Sequence, residues 1–222
     1  MLARLERRLT EEGSHLPSLV VRLARLLNGN REISLATAES LRQQLDRQTQ
    51  RYLDLKYRDT LGLKYADYIN SLPYFEPQKR EHAGRVDRPV LVDPRIPWQL
   101  QCELAGIDAT KLIQVSQGMA VNAPEQPYLA WMQNIRVSPQ ISAAEANRKM
   151  GPYERGATIY DGIAYAIMYP EDVKSEGIIL PGTTLDSGYR TIALRPVDDR
   201  LVLEPIMMEA SPSGLHALSV GI

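Results

Sequence analysis

The stretch ATIYDGIAYAIMYPEDVKSEGIILPGTTLDSG, from Ala157 to Gly188, predicts a helix, a second short helix, a strand and a loop in one continuous run. Thr158 and Asp161 have the spacing of a capping box, with Asp in place of the usual Glu or Gln, and apolar residues follow at helical spacing. We therefore expect a buried helix from about Ile159 to Met168.

A second short helix is predicted to begin at Pro170. Proline suits the first helical position because the N–H that it lacks would be unpaired there, and the two acids that follow favour the positive end of the helix dipole. Gly177 is expected to end this helix as a C′ residue. The apolar run Ile178–Leu180 then predicts a short strand that leads to a loop from Gly182 to Gly188.

The composition excludes few classes of protein. The chain has 222 residues with 26 basic and 27 acidic side chains, so its net charge of −1 gives no global electrostatic argument for a nucleic-acid or membrane partner. Its one cysteine, Cys102, cannot form an intramolecular disulfide, which suits a reducing compartment. No apolar run approaches the roughly 20 residues that span a bilayer, and the charged N-terminus is not a secretory signal. We expect a cytoplasmic protein.

Residues 1–72 have a helical pattern, with short helices predicted around Leu2–Leu9 and Pro17–Asn28. After Ser34, mostly apolar residues repeat with a 3-4-3-4-3 spacing that is typical of a coiled-coil interface. This repeat is shorter than three heptads, so it favours an intramolecular helical hairpin over an intermolecular coiled coil, and both remain open. The repeat begins at Ala38, and we call its other five residues the seam: Leu41, Leu45, Gln48, Tyr52 and Leu55.

Residues 1–58 carry 11 basic and 7 acidic side chains. A nucleic-acid footprint is one interpretation of this excess. The solvated faces of amphipathic helices are the favoured one, because acids are interleaved and no aromatic platform accompanies the arginines. The basic side chains include Arg7, Arg8, Arg22, Arg25, Arg42, Arg47, Arg51 and Arg58.

We predict an α+β protein with an N-terminal helical hairpin or bundle, followed by a small, mostly antiparallel sheet with packed helices. Residues 1–72 form the helical region, 73–97 a proline-rich linker or ordered loop, and 98–222 the α+β domain. Further predicted elements are helices at Asp59–Leu72, Pro97–Gly106 and Ile141–Met150, strands at Val90–Val92, Pro127–Met132 and Leu215–Val220, and a hairpin of Tyr189–Leu194 with Leu201–Met208.

One polar constellation surrounds the central helix. A phenol, a carboxylate and a guanidinium near a helix N-terminus can bind an anion or serve as acid and base. The favoured explanation is structural: Asp161 stabilises the first turn, and Arg155 pairs with Glu154 or another surface acid. The candidate ligand-binding residues are Tyr153, Glu154, Arg155, Asp161, Thr183 and Asp186.

The sequence offers no warrant for a metal or a cofactor. The three histidines, His15, His82 and His216, lack a second ligand at metal spacing, and no phosphate-binding, dinucleotide-binding or nucleophile-elbow motif is present. Cys102 reads as a small buried hydrophobe rather than a nucleophile. The chain is therefore expected not to be an enzyme.

Our leading hypothesis is a non-enzymatic interaction or binding protein that uses its N-terminal helices to associate with itself or with a protein partner. The alternative is a small-molecule enzyme or ligand-binding protein, with a site between the helix beginning at Thr158 and the loop Thr183–Ser187. The third is nucleic-acid binding by the basic N-terminal helices.

Residues about 127–185 resemble an uncharacterised bacterial family known only as a domain of unknown function. The resemblance lies in PYL (Pro127–Leu129), SPxxSAAEA (Ser138–Ala146), TxxDGIAYAIMYPE (Thr158–Glu171) and GIILPGT (Gly177–Thr183). It implies a strand that begins with Pro-Tyr, two helices, a second strand and a glycine-centred turn. The tail departs from the family, which tends to have a Trp-containing strand pair where this chain has Leu194, Leu203 and Met207. The resemblance implies no activity.

Overall fold

A computed structural model of the protein describes residues 35–73, 78–79, 82, 84, 86–138 and 140–221. The helices predicted around Leu2–Leu9 and Pro17–Asn28 lie outside these residues, so the N-terminal hairpin or bundle stays a prediction. Within the described residues, helices and sheets occur together, and the predicted α+β class is confirmed. No helix there is long and apolar enough to cross a membrane.

The eight α-helices of the described residues are mostly short, and the first is the longest. Their bounds are α1 Leu35–Asp54, α2 Tyr57–Thr60, α3 Tyr65–Ser71, α4 Trp98–Ala105, α5 Thr110–Ile113, α6 Ala143–Lys149, α7 Ile159–Met168 and α8 Pro170–Ser175. The single helix predicted over Asp59–Leu72 is wrong. Gly62, at a φ of 66°, separates α2 from α3, because glycine adopts the left-handed conformation without steric cost.

The strands of the described residues form two sheets. Their bounds are β1 Arg88–Val92, β2 Ile107–Asp108, β3 Ala120–Val121, β4 Tyr128–Met132, β5 Glu154–Gly156, β6 Gly177–Leu185, β7 Arg190–Val197, β8 Arg200–Met207, β9 Leu215–Ala217 and β10 Ser219–Gly221. One sheet has the order β1-β4-β10-β5 and is antiparallel. The other has the order β2-β8-β7-β6-β3, with β9 paired to β6. It is mixed, because β2–β8 and β6–β9 are parallel pairs.

The predicted hairpin near the C-terminus is confirmed. β7 and β8 pair along their whole length, from Arg190 opposite Met207 to Val197 opposite Arg200. Asp198 turns the chain at a φ of 51°, a conformation that Asp tolerates better than most residues. The last predicted strand, in contrast, is two strands: β9 pairs with β6, and β10 joins the other sheet.

The strand that follows the central helix is longer than the predicted strand Ile178–Leu180. β6 runs from Gly177 to Leu185, so the predicted loop shrinks to Asp186–Gly188. Gly177 does not act as a left-handed helix end. It begins β6 and is packed so tightly that an added Cβ would lie 2.3 Å from Leu215 Cδ2 and 2.9 Å from the Leu194 carbonyl oxygen. Glycine is required there by packing rather than by backbone conformation.

Helix α7 is buried on nearly all sides, which explains its apolar sequence. It packs against β1, β6 and α4. Gly162 lets it approach β6 closely, since a Cβ there would lie 2.5 Å from Leu180 Cδ2. The proline start of α8 is confirmed. Ser142 caps α6, because its hydroxyl oxygen accepts a hydrogen bond from the Glu145 N–H.

Residues 48–73 and 78–221 of the described chain belong to one compact unit, and the part of α1 from Leu35 to Arg47 falls outside it. The unit therefore includes α2 and α3, which the sequence pattern groups with the N-terminal region. Three tyrosines from this segment, Tyr52, Tyr57 and Tyr68, are fully buried in the unit.

The polar member of the seam, Gln48, closes the open edge of β1. Its Nε2 donates to the Pro89 carbonyl at 2.7 Å, and its Oε1 accepts from the Leu91 N–H at 2.7 Å. Tyr52, one turn later, donates its hydroxyl proton to the Leu91 carbonyl at 2.7 Å. These side chains take the place of a neighbouring strand at this edge, and the Tyr169 hydroxyl also donates to the Pro89 carbonyl, at 3.0 Å.

We expect Gln48→Ala to lower the free energy of unfolding by about 2 kcal/mol, because it leaves the buried Leu91 N–H unpaired and removes one of the two donors to the Pro89 carbonyl. Gln50→Ala is the matched control on the same helix. Gln50 is exposed and bonds only to Asp54 in the described residues, so its loss should change stability by less than about 0.5 kcal/mol. Urea denaturation followed by circular dichroism measures both. Equal effects of the two substitutions would contradict the role of Gln48.

Candidate functional site

Asp161 lies at the centre of the predicted polar constellation and has no exposed surface. The capping box is confirmed: Oδ2 accepts from the Thr158 N–H at 2.7 Å and from its hydroxyl at 2.8 Å. Arg155 donates to Oδ2 at 2.6 Å and to Oδ1 at 3.1 Å. The Tyr128 hydroxyl donates to Oδ1 at 2.7 Å. A carboxylate offers about four lone-pair positions, so these donors saturate it.

The electrostatics of this cluster favour a fixed protonation state. Burial raises the pKa of Tyr128, and the adjacent Asp161 charge raises it further, so the phenol stays a neutral donor. Burial acts to lower the pKa of Arg155, but the hydrogen bonds and charge of Asp161 outweigh it, and the net pKa is raised. The guanidinium also lies 6.0 Å from the centre of the Tyr128 ring. Neither group is poised to exchange a proton near neutral pH.

Thr183 joins the same cluster from β6. Its hydroxyl oxygen accepts from the Ile159 N–H at 2.8 Å, which satisfies another of the N–H groups that the start of α7 leaves unpaired. Its carbonyl accepts from the buried Thr191 hydroxyl at 2.9 Å. The structure thus brings Arg155, Asp161 and Thr183 together around one helix N-terminus, where their polar groups bond to the protein itself.

The other three candidates lie apart from this cluster. Asp186 is exposed and pairs with Arg190. The Tyr153 side chain is 51% exposed, and its carbonyl lies 2.9 Å from Nε2 of the buried His82. Glu154 lines a pocket of about 190 Å³, together with Lys149 and apolar residues that include Ile141 and Met150. Because Asp161 has no exposed surface, it cannot share a ligand surface with Tyr153 and Asp186.

Tyr128 is the member of the cluster that sequence reasoning missed as a polar partner. The sequence predicted only that Tyr128 lies near the start of a strand, which does not reveal the hydrogen-bond partner of its hydroxyl group. A second buried carboxylate, Asp93, was also missed. Arg95 pairs with it through two nitrogens, at 2.6 and 2.8 Å, and a Pro-Arg pair directly after the Asp was the only local hint.

The basic residues predicted for nucleic-acid binding divide into two groups. Arg7, Arg8, Arg22 and Arg25 lie outside the described residues. Of the others, Arg58 pairs with Asp59 at 2.5 Å, and Arg51 donates to the carbonyls of Ile167 and Met168 at the end of α7. The nucleic-acid hypothesis stays a prediction.

We expect Asp161→Asn to lower the free energy of unfolding by about 3 kcal/mol or more, because it leaves the largely buried Arg155 without its counter-charge. Asp186→Asn is the matched control, since it breaks a second Asp–Arg pair, but a solvent-exposed one. That change should cost less than about 1 kcal/mol. Chemical denaturation of the two variants measures the difference. An Asp161→Asn variant as stable as the wild type would instead mean that the cluster is not structural.

Cys102 should be chemically silent in the folded protein. It is buried in α4, and burial raises the pKa of its thiol to about 12, so almost no reactive thiolate exists at a pH of about 8. We expect Ellman's reagent to release no colour from the native protein and one equivalent from the protein in guanidinium chloride. Rapid reaction of the native protein would contradict the buried placement.

Comparisons with protein-family models, with curated proteins and with solved structures gave no match to this chain. The resemblance to the bacterial family therefore stays a prediction, and any function has to be argued from the chain's own geometry.

Proposed function

We propose that this protein is a non-enzymatic interaction protein that associates, with itself or with a protein partner, through the first part of α1. The surface it uses comprises Leu41 and Leu45, the two seam residues that fall outside the compact unit. Both side chains are half-buried. Apolar side chains at this spacing on one helix face are the usual material of helix–helix association.

The proposal rests on the observation that only part of the seam belongs to the compact unit. Gln48 and Tyr52 are buried against β1 and bond to it, and Leu55 lines a pocket of the compact unit. These three residues pack or bond within the compact unit. Of the seam, Leu41 and Leu45 therefore remain as the residues that would contact a partner. The saturated hydrogen bonding of Asp161 supports a binding role over a catalytic one, because it removes the best candidate acid from contact with a substrate.

The proposal is tested by light scattering after size-exclusion chromatography of the full chain. We expect the wild type to form a dimer or a larger assembly, or to retain a partner on purification, and Leu41→Glu/Leu45→Glu to be monomeric and free of it. Two buried charges in a helix interface are costly without partners. Deleting residues 1–72 would be a poorer test, because it removes the buried Tyr52, Tyr57 and Tyr68.

The matched control is Ser40→Glu/Gln43→Glu, which adds the same two charges at exposed positions of the same helix. It should leave the assembly unchanged. A wild type that is monomeric and recovers no partner would refute the proposal. So would an equal loss of assembly in the control, since the cause would then be net charge rather than the seam.

A further inference from the structure

A large pocket of the described chain lies at the opposite end of α7 from the Asp161 cluster. It has a volume of about 430 Å³, within the range of about 300–1,000 Å³ that is typical of small-molecule sites. Its walls come from α1, α4, α7, α8, the start of β2 and the start of β8. Most of the lining is apolar and includes Leu55, Ile107, Ile167 and Leu201.

Three basic side chains from three elements line this pocket: Arg51 of α1, Lys174 of α8 and Arg200 of β8. None of them forms an ion pair with a carboxylate of the described chain. Nη1 of Arg51 donates to the carbonyls of Ile167 and Met168, at 2.7 and 2.5 Å, which holds its guanidinium at the pocket. Lys174 and Arg200 are exposed at the rim.

Two carboxylates, Asp54 and Asp199, also line the pocket. Asp54 already accepts a hydrogen bond from Gln50 at 2.8 Å, and Asp199 lies in the exposed β7–β8 turn. The lining thus carries one positive charge in excess. The lining therefore suits an anionic ligand better than a cationic one.

We propose that this pocket binds a small amphipathic anion, with an apolar chain against the floor and one carboxylate or phosphate head at the basic rim. A purely polar anion would leave the apolar floor unfilled, and a neutral apolar ligand would gain nothing from the rim cations. The proposal does not depend on association through Leu41 and Leu45, because neither residue lines the pocket.

The test compares octanoate with 1-octanol, which share one chain length and differ in charge, by isothermal titration calorimetry on the full-length protein. We expect octanoate to bind with a Kd of about 1 mM or tighter and octanol to bind more weakly. The double variant Lys174→Gln/Arg200→Gln should weaken octanoate binding by about five-fold or more, as the loss of two exposed charge contacts implies, and should leave octanol unaffected.

Arg148→Gln/Lys149→Gln is the matched control, because it removes two exposed positive charges from α6, away from this pocket. Octanoate binding should be unchanged in it. Absence of octanoate binding, equal affinity for octanol, or equal weakening in the control would each overturn the proposal. Octylphosphate, as a second probe, separates carboxylate from phosphate heads. If the double variant fails to fold, the two-ligand comparison on the wild type still decides the question.

Discussion

The buried carboxylate of Asp161 joins segments that the chain order keeps apart. Its partners come from β4, from β5 and from the residue that caps α7, and the neighbouring Thr183 adds β6 from the second sheet. The two sheets therefore meet at the first turn of α7, where Thr183 and Thr158 accept hydrogen bonds from N–H groups of the helix. A buried ion pair gives little net stability against an apolar replacement, but removal of one partner leaves the other charge buried without compensation. We infer that the main contribution of the Arg155–Asp161 pair is to fix how β5 and α7 pack.

A comparable constraint acts at the edge of the first sheet. β1 pairs with β4 on one side, and the end of α1 covers the other side through Gln48 and Tyr52. A glutamine side chain has an amide group that both donates and accepts, so it can bond to two backbone groups of a strand as another strand would. If only its heptad position were considered, Gln48 would be interpreted as a polar residue that destabilises a coiled-coil interface.

The Asp161 cluster and the cover of β1 by Gln48 and Tyr52 both have structural roles. Candidate binding surfaces therefore have to be sought away from the N-terminal end of α7. The polar groups there bond to the protein itself. The opposite end of α7, in contrast, borders an apolar pocket with basic side chains at its rim, and the first part of α1 lies outside the compact unit. Residues that bind partners must have unused bonding capacity or uncovered apolar surface. Leu41 and Leu45 in α1, and Ile167 and Leu201 in the pocket, are apolar side chains that stay partly exposed.

Features that depend on residues close together in the chain were predictable from the sequence. The Thr158 capping box, the proline start of α8, the Ser142 cap and the β7–β8 hairpin follow from local spacing and from the conformational limits of single residues. The bounds of β6 and the reason for Gly177 were not predictable, because pairing with β7 and β9 sets them.

The sequence by itself thus determined the α+β class, the Thr158 and Ser142 caps and the β7–β8 turn, and it identified Asp161 as a residue with a structural task. Only the tertiary structure decided that Tyr128, 33 residues away, completes the bonding of Asp161, and that Gln48 serves β1 across 43 residues. The physical reason is that hydrogen bonds between distant segments depend on how the elements pack. No local spacing encodes that packing.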